Sequence, residues 1–346
     1  MYKNKNIVIN CRFLNQKITG VQRFGIEIAK ELVKLSNNII CVSPRNILYD
    51  DLAKALQVKR IGFNTGHLWE QLDLPLFLIK SNAVLINLAN TGPVFYFNKI
   101  ITLHDILFIR YPNTFSWSFR FFYKKLIPLL LKTSKHIFTV SEFSKREISS
   151  YYNIRKDRIT IVYNSVSSQF YPTPKSNCEK YILAVSSVAP HKNFHNLIKA
   201  FSIIKNKNVK LFIVGNQSNN FKQIDIDHTI FKRINFLGRV NDQQLNDLYS
   251  NAICFVHPSF YEGFGIPPIE AQSCGTAVIS SNAASLPEIG LDSFLYVDPK
   301  NINDIAKKIQ VLIQDKHLQR KLINKGHENV KRFSWKKSAE KIINSI

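Results

Sequence analysis

"AICFVHPSFYEGFGIPPIEAQSCGTAVIS", residues 252–280, reads as strand, turn, helix and strand in one unbroken stretch. Its first apolar run, "AICFVHP" at 252–258, does not alternate, which marks a strand covered on both faces of a parallel sheet. A glycine-rich turn follows. Pro267 and Pro268 suit a first helical turn, and Gly275 suits a helix end. "TAVIS" at 276–280 is the next strand. Glu262 therefore falls on a loop and Glu270 near the helix start, both at the carboxyl end of a strand. Gly263 and Gly265 let the backbone approach a ligand closely and offer N–H groups to an anion. A carboxylate accepts two hydrogen bonds side by side, which suits a vicinal diol. Two carboxylates flanking such a turn fit a ligand with hydroxyls at both ends and phosphate between, the layout of a nucleotide sugar. Two acids that only cap and solvate the loop would give the same pattern.

The strand signal recurs on both sides. In the second half it continues through "YILAV" (181–185), "VKLFIVG" (209–215), "INFLG" (234–238) and "FLYV" (294–297), with helical segments such as "FHNLIKAFSIIK" (194–205) between. An earlier series runs "NIVIN" (6–10), "IICV" (39–42), "AVLIN" (83–87), "IITLH" (100–104), "IFTV" (137–140) and "ITIVY" (159–163). Stretches such as "VQRFGIEIAKELVKL" (21–35) separate these runs. The polar, proline-containing "NSVSSQFYPTPKSNCEK" (164–180) lies between the two series. The pattern predicts an α/β chain with two Rossmann-like, doubly wound parallel-sheet domains facing a central cleft. The expected boundaries are 1–166 for the first domain, 167–179 for a linker and 180–325 for the second. A C-terminal helix over 326–346 could cross back to the first domain.

The apolar fraction of 45% across 346 residues is ample for two buried cores and excludes global disorder. Five scattered cysteines with no C-x-x-C pair indicate neither a zinc site nor a disulfide framework, and fit a reducing compartment. The N-terminus lacks a signal-peptide core, and the longest greasy run, "LIPLLL" at 126–131, is too short to span a bilayer. A cytoplasmic protein, soluble or peripheral at the inner face of the membrane, is expected. The net charge of +23 attracts anions: nucleic acid, anionic lipid or phosphate-bearing substrates. Residues 1–170 hold 24 basic against 10 acidic side chains, so both halves are basic. An AT-rich coding sequence, which inflates Lys, Asn and Ile together, accounts for the excess equally well. A nucleic-acid-binding protein is the rival class, but the bases are dispersed and none of the usual nucleic-acid motifs appears. No nucleic-acid partner is expected.

The opening stretch resembles the E-x7-E signature of the retaining glycosyltransferases of family 4, a large family with the two-domain GT-B fold. "TGVQRFGIEIAKEL" (19–32), "TLHDILF" (102–108), "VSEFSKREI" (140–148), "VYNSV" (162–166), "VAPHKNFHNLIKAF" (188–201) and the long segment 236–290 extend the resemblance over most of the chain. The resemblance implies roles for the matching residues. Glu270 would hold the nucleotide ribose. Glu262 would contact the donor sugar, beside the N–H groups of Gly263, Phe264 and Gly265. Lys192 would neutralise the diphosphate, where charge builds as the sugar leaves. Gly20 would let the first domain approach phosphates and acceptor, and His104 would act near the sugar. Many relatives place an arginine shortly before the lysine. Here Ser187 stands near that position, and Arg239 in "LGRV" could compensate. Catalysis would then rest on His104, Glu262 and Lys192, by a front-face mechanism in which the leaving phosphate helps deprotonate the acceptor.

Three further signals carry expectations. "DID" at 225–227 matches a metal-binding D-x-D, but in the wrong context, so no metal or other cofactor is expected. His191 and His195 are spaced i,i+4 without the glutamate of a zinc hydrolase, which suggests a solvated pair. "FRFFYKKLIPLLLKTSKH" (119–136) mixes aromatics and bases without an acid, and Pro128 should kink or interrupt its helix. That segment is either an interfacial patch that meets anionic lipid or a helix packed into its domain. The expected activity is transfer of a sugar, with mannose preferred, from a nucleoside-diphosphate donor to a saccharide or lipid-linked saccharide. The expected setting is bacterial surface polysaccharide assembly, O-antigen or capsule. A lipid or protein acceptor is the alternative.

Overall fold

The computed structural model describes residues 6–174, 179–187, 189–215 and 228–346. The chain divides into two compact units, residues 1–164 with 334–346, and residues 165–333.

The first unit is built on seven strands: Ile7–Asn10 (β1), Ile39–Ser43 (β2), Lys59–Arg60 (β3), Val84–Asn87 (β4), Lys99–Thr102 (β5), His136–Thr139 (β6) and Ile159–Ile161 (β7). They pair in the order β3-β2-β1-β4-β5-β6-β7, all parallel, with Ile7 in register with both Ile39 and Val84. Consecutive side chains enter opposite cores, because a strand's side chains alternate across the sheet. Val8 and Leu85 join Trp69, Leu74 and Leu78 on one side. Ile101 and Ile137 join Leu126, Ile127 and Leu130 on the other. With helices over both faces, the strands need apolar residues at every position. That is why the sequence runs are continuous rather than alternating.

The second unit repeats the plan with Tyr181–Val185 (β8), Lys210–Val214 (β9), Ile234–Gly238 (β10), Cys254–His257 (β11), Val278–Ser281 (β12) and Phe294–Val297 (β13). Their order is β10-β9-β8-β11-β12-β13, again all parallel. Along β8, Ile182 and Ala184 enter one core while Tyr181 and Leu183 enter the other. Each sheet reverses its winding once, between β1 and β4 in the first and between β8 and β11 in the second. Ligands of doubly wound sheets bind beyond the carboxyl ends of strands at this switch point.

The structure departs from the sequence reading at several places. β3 is a charged, two-residue edge strand and left no apolar run to read. Phe170, in the stretch expected as a linker, is buried in the second unit's core, and its carbonyl accepts a hydrogen bond from Ser273 Oγ at 2.8 Å. Residues 326–346 are not one helix. Lys316–Val330 ends, and Ser334 caps a separate helix, Trp335–Asn344, by accepting from the Lys337 N–H. That last helix lies in the first unit, where Trp335 meets Phe24 edge-on at 6.0 Å and Ser338 Oγ donates to the Tyr163 carbonyl at 2.7 Å. Pro128 interrupts nothing, for Trp117–Thr133 is one helix. The proline is exposed, away from the buried face of Leu126, Ile127, Leu130 and Leu131. The "DID" stretch at 225–227 lies outside the described residues.

Candidate active site

In the second unit the loops after β8, β11 and β12 build one polar cluster. The β8 loop turns through Pro190–Lys192 into the helix Phe194–Ile203. Asn193 takes a left-handed conformation at the joint (φ 61°), and its side chain donates to the carbonyls of Pro258 and Pro299. The Phe260 N–H donates to the His191 carbonyl at 2.7 Å, tying the β11 loop to this turn. Ser285 Oγ, beyond β12, lies 2.9 Å from the Glu262 carbonyl and 2.8 Å from that of Phe264. The loop carrying Glu262 is therefore held from both sides.

Lys192 Nζ donates to both oxygens of Glu262, at 2.8 and 2.9 Å, and His257 Nε2 donates to Glu262 Oε1 at 2.7 Å. The Lys192 and Glu262 side chains are only 16% and 11% exposed, so the pair is largely shielded from water. Burial pushes the Glu262 carboxyl up. The Lys192 charge and the His257 partner outweigh this and hold it well below the usual carboxylate range. Its stabilisation is therefore fully present above the ordinary glutamate range. It is lost only as pH falls through the depressed folded value. His257 ends β11 and is 1% exposed. Sequence reasoning passed over it, although a histidine ending a strand was the very signal that singled out His104.

Glu270 lies in the helix Ile266–Ser273 and is buried, accepting a hydrogen bond from the fully buried Tyr249 hydroxyl at 3.2 Å. Burial, with the Glu270 charge beside it, pushes the Tyr249 hydroxyl well up, so it stays a donor. Gly265 precedes this helix at φ 101°, and a Cβ there would meet Leu286 Cδ2 at 2.7 Å. Any side chain would be strained twice, by conformation and by contact. Pro267 and Pro268 carry no N–H, so the helix's first turn offers two fewer donors than an ordinary one. Gly263 and Phe264 are buried in that turn, where the Phe264 ring meets Phe333 edge-on at 5.4 Å. Ser187 and Arg239 are exposed on the loops after β8 and β10. His191 is 3% exposed and burial lowers its pKa to about 4, while His195 is exposed. The expected solvated pair fails for His191, because its turn is anchored by the β11 loop.

In the first unit, His104 follows β5 and is 5% exposed. Its Nε2–H donates to the Leu88 carbonyl at 3.0 Å, and its backbone N–H donates to Asn90 Oδ1 at 2.9 Å. The Phe24 ring sits against it edge-on at 4.8 Å. Burial lowers the imidazole pKa to about 4, so at neutral pH the ring is uncharged and Nδ1 is its acceptor. Gly20 is the exposed first residue of the helix Gly20–Leu35, behind a Thr19–Gln22 capping box. Among the described residues no group of three or more His, Cys, Asp or Glu side chains could hold a metal ion. No helix among them is long and apolar enough to cross a membrane.

Similarity to known proteins covers both units. The model of the family "Glycosyl transferases group 1" matches residues 168–329, and that of "Glycosyltransferase Family 4" matches residues 18–170. The O-antigen chain mannosyltransferase RfbU of Salmonella typhimurium is 30% identical over 326 residues, 88% of this chain and 91% of that one. The O-antigen chain mannosyltransferase B of Escherichia coli is 31% identical over 276 residues, 73% of this chain and 72% of that one. In structure, the sucrose-phosphate synthase of Thermosynechococcus elongatus superposes with a TM-score of 0.78 at 16% identity. That match covers 99% of this chain and 98% of the other. With its two doubly wound sheets and these similarities, the chain belongs to the group 1 glycosyl transferases of family 4, retaining glycosyltransferases of the GT-B fold.

Proposed function

We propose that the chain transfers a hexose, with mannose preferred, from a nucleoside-diphosphate sugar to a saccharide acceptor during assembly of a bacterial O-antigen or capsule. The similarity to O-antigen mannosyltransferases supports the sugar and the setting. The observation that carries the chemistry is the Lys192–Glu262 pair at the switch point of the second sheet. Departure of the sugar leaves negative charge on the diphosphate, and a fixed, poorly hydrated ammonium lowers that barrier. Glu262 holds the ammonium in place and faces the sugar. Glu270, oriented by Tyr249, takes the ribose hydroxyls. The N–H groups of the 263–265 turn, with Ser187 and Arg239, add donors for the phosphates. Gly20 and His104, in the first unit, keep in this proposal the roles that the family resemblance implies, and the neutral His104 ring has Nδ1 as its acceptor. The leaving phosphate takes the acceptor's proton. A panel of nucleotide sugars tests the reading, with hydrolysis and thermal shift as readouts. GDP-mannose or a close relative should give the strongest response, and a protein indifferent to every donor would refute it.

No metal is assigned to the reaction, because Lys192 and backbone donors offset the phosphate charge. Turnover should therefore survive EDTA at millimolar excess. Loss of turnover with EDTA and its return with manganese would restore a metal role.

The helix Trp117–Thr133 supports a peripheral membrane contact. Leu126, Ile127, Leu130 and Leu131 bury its second half, while Trp117, Phe121 and Phe122 are 73%, 55% and 40% exposed in its first. Lys124 and Lys125 are exposed beside those rings, and the helix carries no acid. Aromatic rings at headgroup depth with lysines among them suit an anionic bilayer, where a lipid-linked saccharide would be found. Replacing Arg120, Lys124 and Lys125 with glutamine should weaken binding to phosphatidylglycerol vesicles, each base contributing about 1 kcal/mol. Wild-type protein that ignores such vesicles at physiological salt would sink the membrane contact.

A further inference from the structure

The first sheet carries its own charged cluster at its switch point. Asn10 ends β1, Asn87 ends β4, and Arg12 and Thr91 lie on the loops that follow them. Between them sits Glu70, 1% exposed, on a wide π-helical turn, Trp69–Asp73. Such turns break the regular helical ladder and recur at functional sites. Glu70 Oε1 accepts from Asn10 Nδ2 at 2.9 Å and from Thr91 Oγ1 at 3.1 Å. Arg12 Nε lies 3.0 Å from the same oxygen, an ion pair without the alignment of a hydrogen bond, while Arg12 Nη2 donates to Thr91 Oγ1 at 2.8 Å. Glu70 Oε2 accepts from His67 Nδ1 at 3.1 Å. Burial raises the Glu70 pKa, but Arg12 and His67 outweigh it and keep the carboxyl ionised.

Three polar groups around this carboxylate keep an open valence. Arg12 Nη1, His67 Nε2 and the Tyr123 hydroxyl have no hydrogen-bond partner among the described residues. With Nδ1 committed to Glu70, the His67 ring leaves Nε2 for a ligand. Tyr123 stands beside it, its ring centroid 6.0 Å from that of His67, and its hydroxyl feels the charges of both Arg12 and Glu70. Phe122 packs against the other side of His67 at 4.8 Å and is 40% exposed. A guanidinium N–H, a ring nitrogen and a hydroxyl that can donate or accept, beside an exposed aromatic ring, match the hydroxyl-bearing edge and the apolar face of a sugar ring. The charges decide against an anion. Arg12 is already paired with Glu70, and a phosphate would face that buried carboxylate.

We propose that Arg12, His67 and Tyr123, held in place by Glu70, form a binding site for a neutral saccharide, the acceptor of the transfer reaction. This rests on the reading of the chain as a transferase with a saccharide acceptor. Glu70 is a positioning residue that touches the sugar only through its neighbours.

Saturation-transfer NMR with a panel of methyl glycosides (mannoside, galactoside, rhamnoside and N-acetylglucosaminide) tests the site directly. At least one should receive saturation from the wild-type protein and shift the His67 ring protons. Tyr123→Phe removes only an unpartnered oxygen, so its fold is safe, and it should weaken binding about 5- to 10-fold. His67→Ala and Glu70→Gln should each weaken it by a similar factor or more. Inorganic phosphate at the same concentration should leave the glycoside signal intact. Silence from the whole panel, unchanged binding by Tyr123→Phe and His67→Ala, or displacement by phosphate would each overturn the site. Nucleoside-diphosphate binding, measured alongside, separates the two ideas. A protein that binds the nucleoside diphosphate but no glycoside loses only this site, whereas one that binds no nucleoside diphosphate loses the transferase reading itself.

Discussion

Glu270→Ala is expected to weaken nucleoside-diphosphate binding about 10- to 100-fold, the loss of hydrogen bonds to a charged group worth roughly 1.5–3 kcal/mol. Two neighbouring substitutions separate ligand binding from support of the fold. The carboxylate is buried and accepts from the fully buried Tyr249 hydroxyl, so alanine also strands that hydroxyl, at a cost to stability of about 1–3 kcal/mol. Tyr249→Phe removes the same hydrogen bond from the other end and keeps the carboxylate. It should lower the melting temperature while retaining most nucleotide affinity. Glu270→Gln keeps the volume and a carbonyl for Tyr249 but loses the charge. It should melt near wild type and still bind the nucleotide poorly. Isothermal titration of the three variants decides the matter. Equal affinity in Glu270→Gln and wild type would remove Glu270 from the ribose site.

The two switch points explain how much of this protein was legible in its sequence. Strands such as β8 and β11 were readable because burial on both faces demands an unbroken apolar run, a local property. The turn at 262–275 was readable because glycine and proline at fixed positions report backbone conformation directly, and Gly265 does take a positive φ. Partnerships were another matter. Lys192 and Glu262 are 70 residues apart, and Arg12 and Thr91 are 79 apart, so only the return of the chain to neighbouring strand ends reveals that they meet. Glu70 lies in "HLWEQLDLPLFLIK", an apolar stretch whose period does not betray that one acid faces inward. Seen in the fold, it is the first sheet's counterpart of Glu262. Each is a shielded carboxylate at a switch point with one cation and one histidine in contact. In both clusters the acid fixes the orientation of groups that can face a ligand. His257 escaped notice because it lacks the acid that follows His104 in "HD".

Lys192→Ala and His104→Ala should part company when chemistry and product binding are measured together. On the proposed reading Lys192 acts where charge appears on the leaving diphosphate, so its removal should lower kcat roughly 10²- to 10³-fold, the usual loss for one fixed electrostatic donor. It should also weaken binding of the nucleoside diphosphate, which carries the same phosphates. The variant leaves the shielded Glu262 carboxylate with His257 but without its main cation, which should cost about 1–3 kcal/mol of stability. Removing the acid as well, in Lys192→Ala with Glu262→Gln, should return part of that stability without returning kcat. This separates the ion pair's structural share from its catalytic one. His104 is neutral, with Nε2–H committed to the Leu88 carbonyl, and in the proposed reading it acts toward the donor sugar. The nucleoside diphosphate lacks the transferred hexose that it would touch. His104→Ala should therefore lower kcat and kcat/KM together while product affinity stays within about twofold, the signature of an interaction felt only in the transition state. Titration with the nucleoside diphosphate and measured transfer rates read both halves. Equal loss of product affinity in the two variants would move His104 onto the phosphates or reduce it to a support of the Leu88–Asn90 loop.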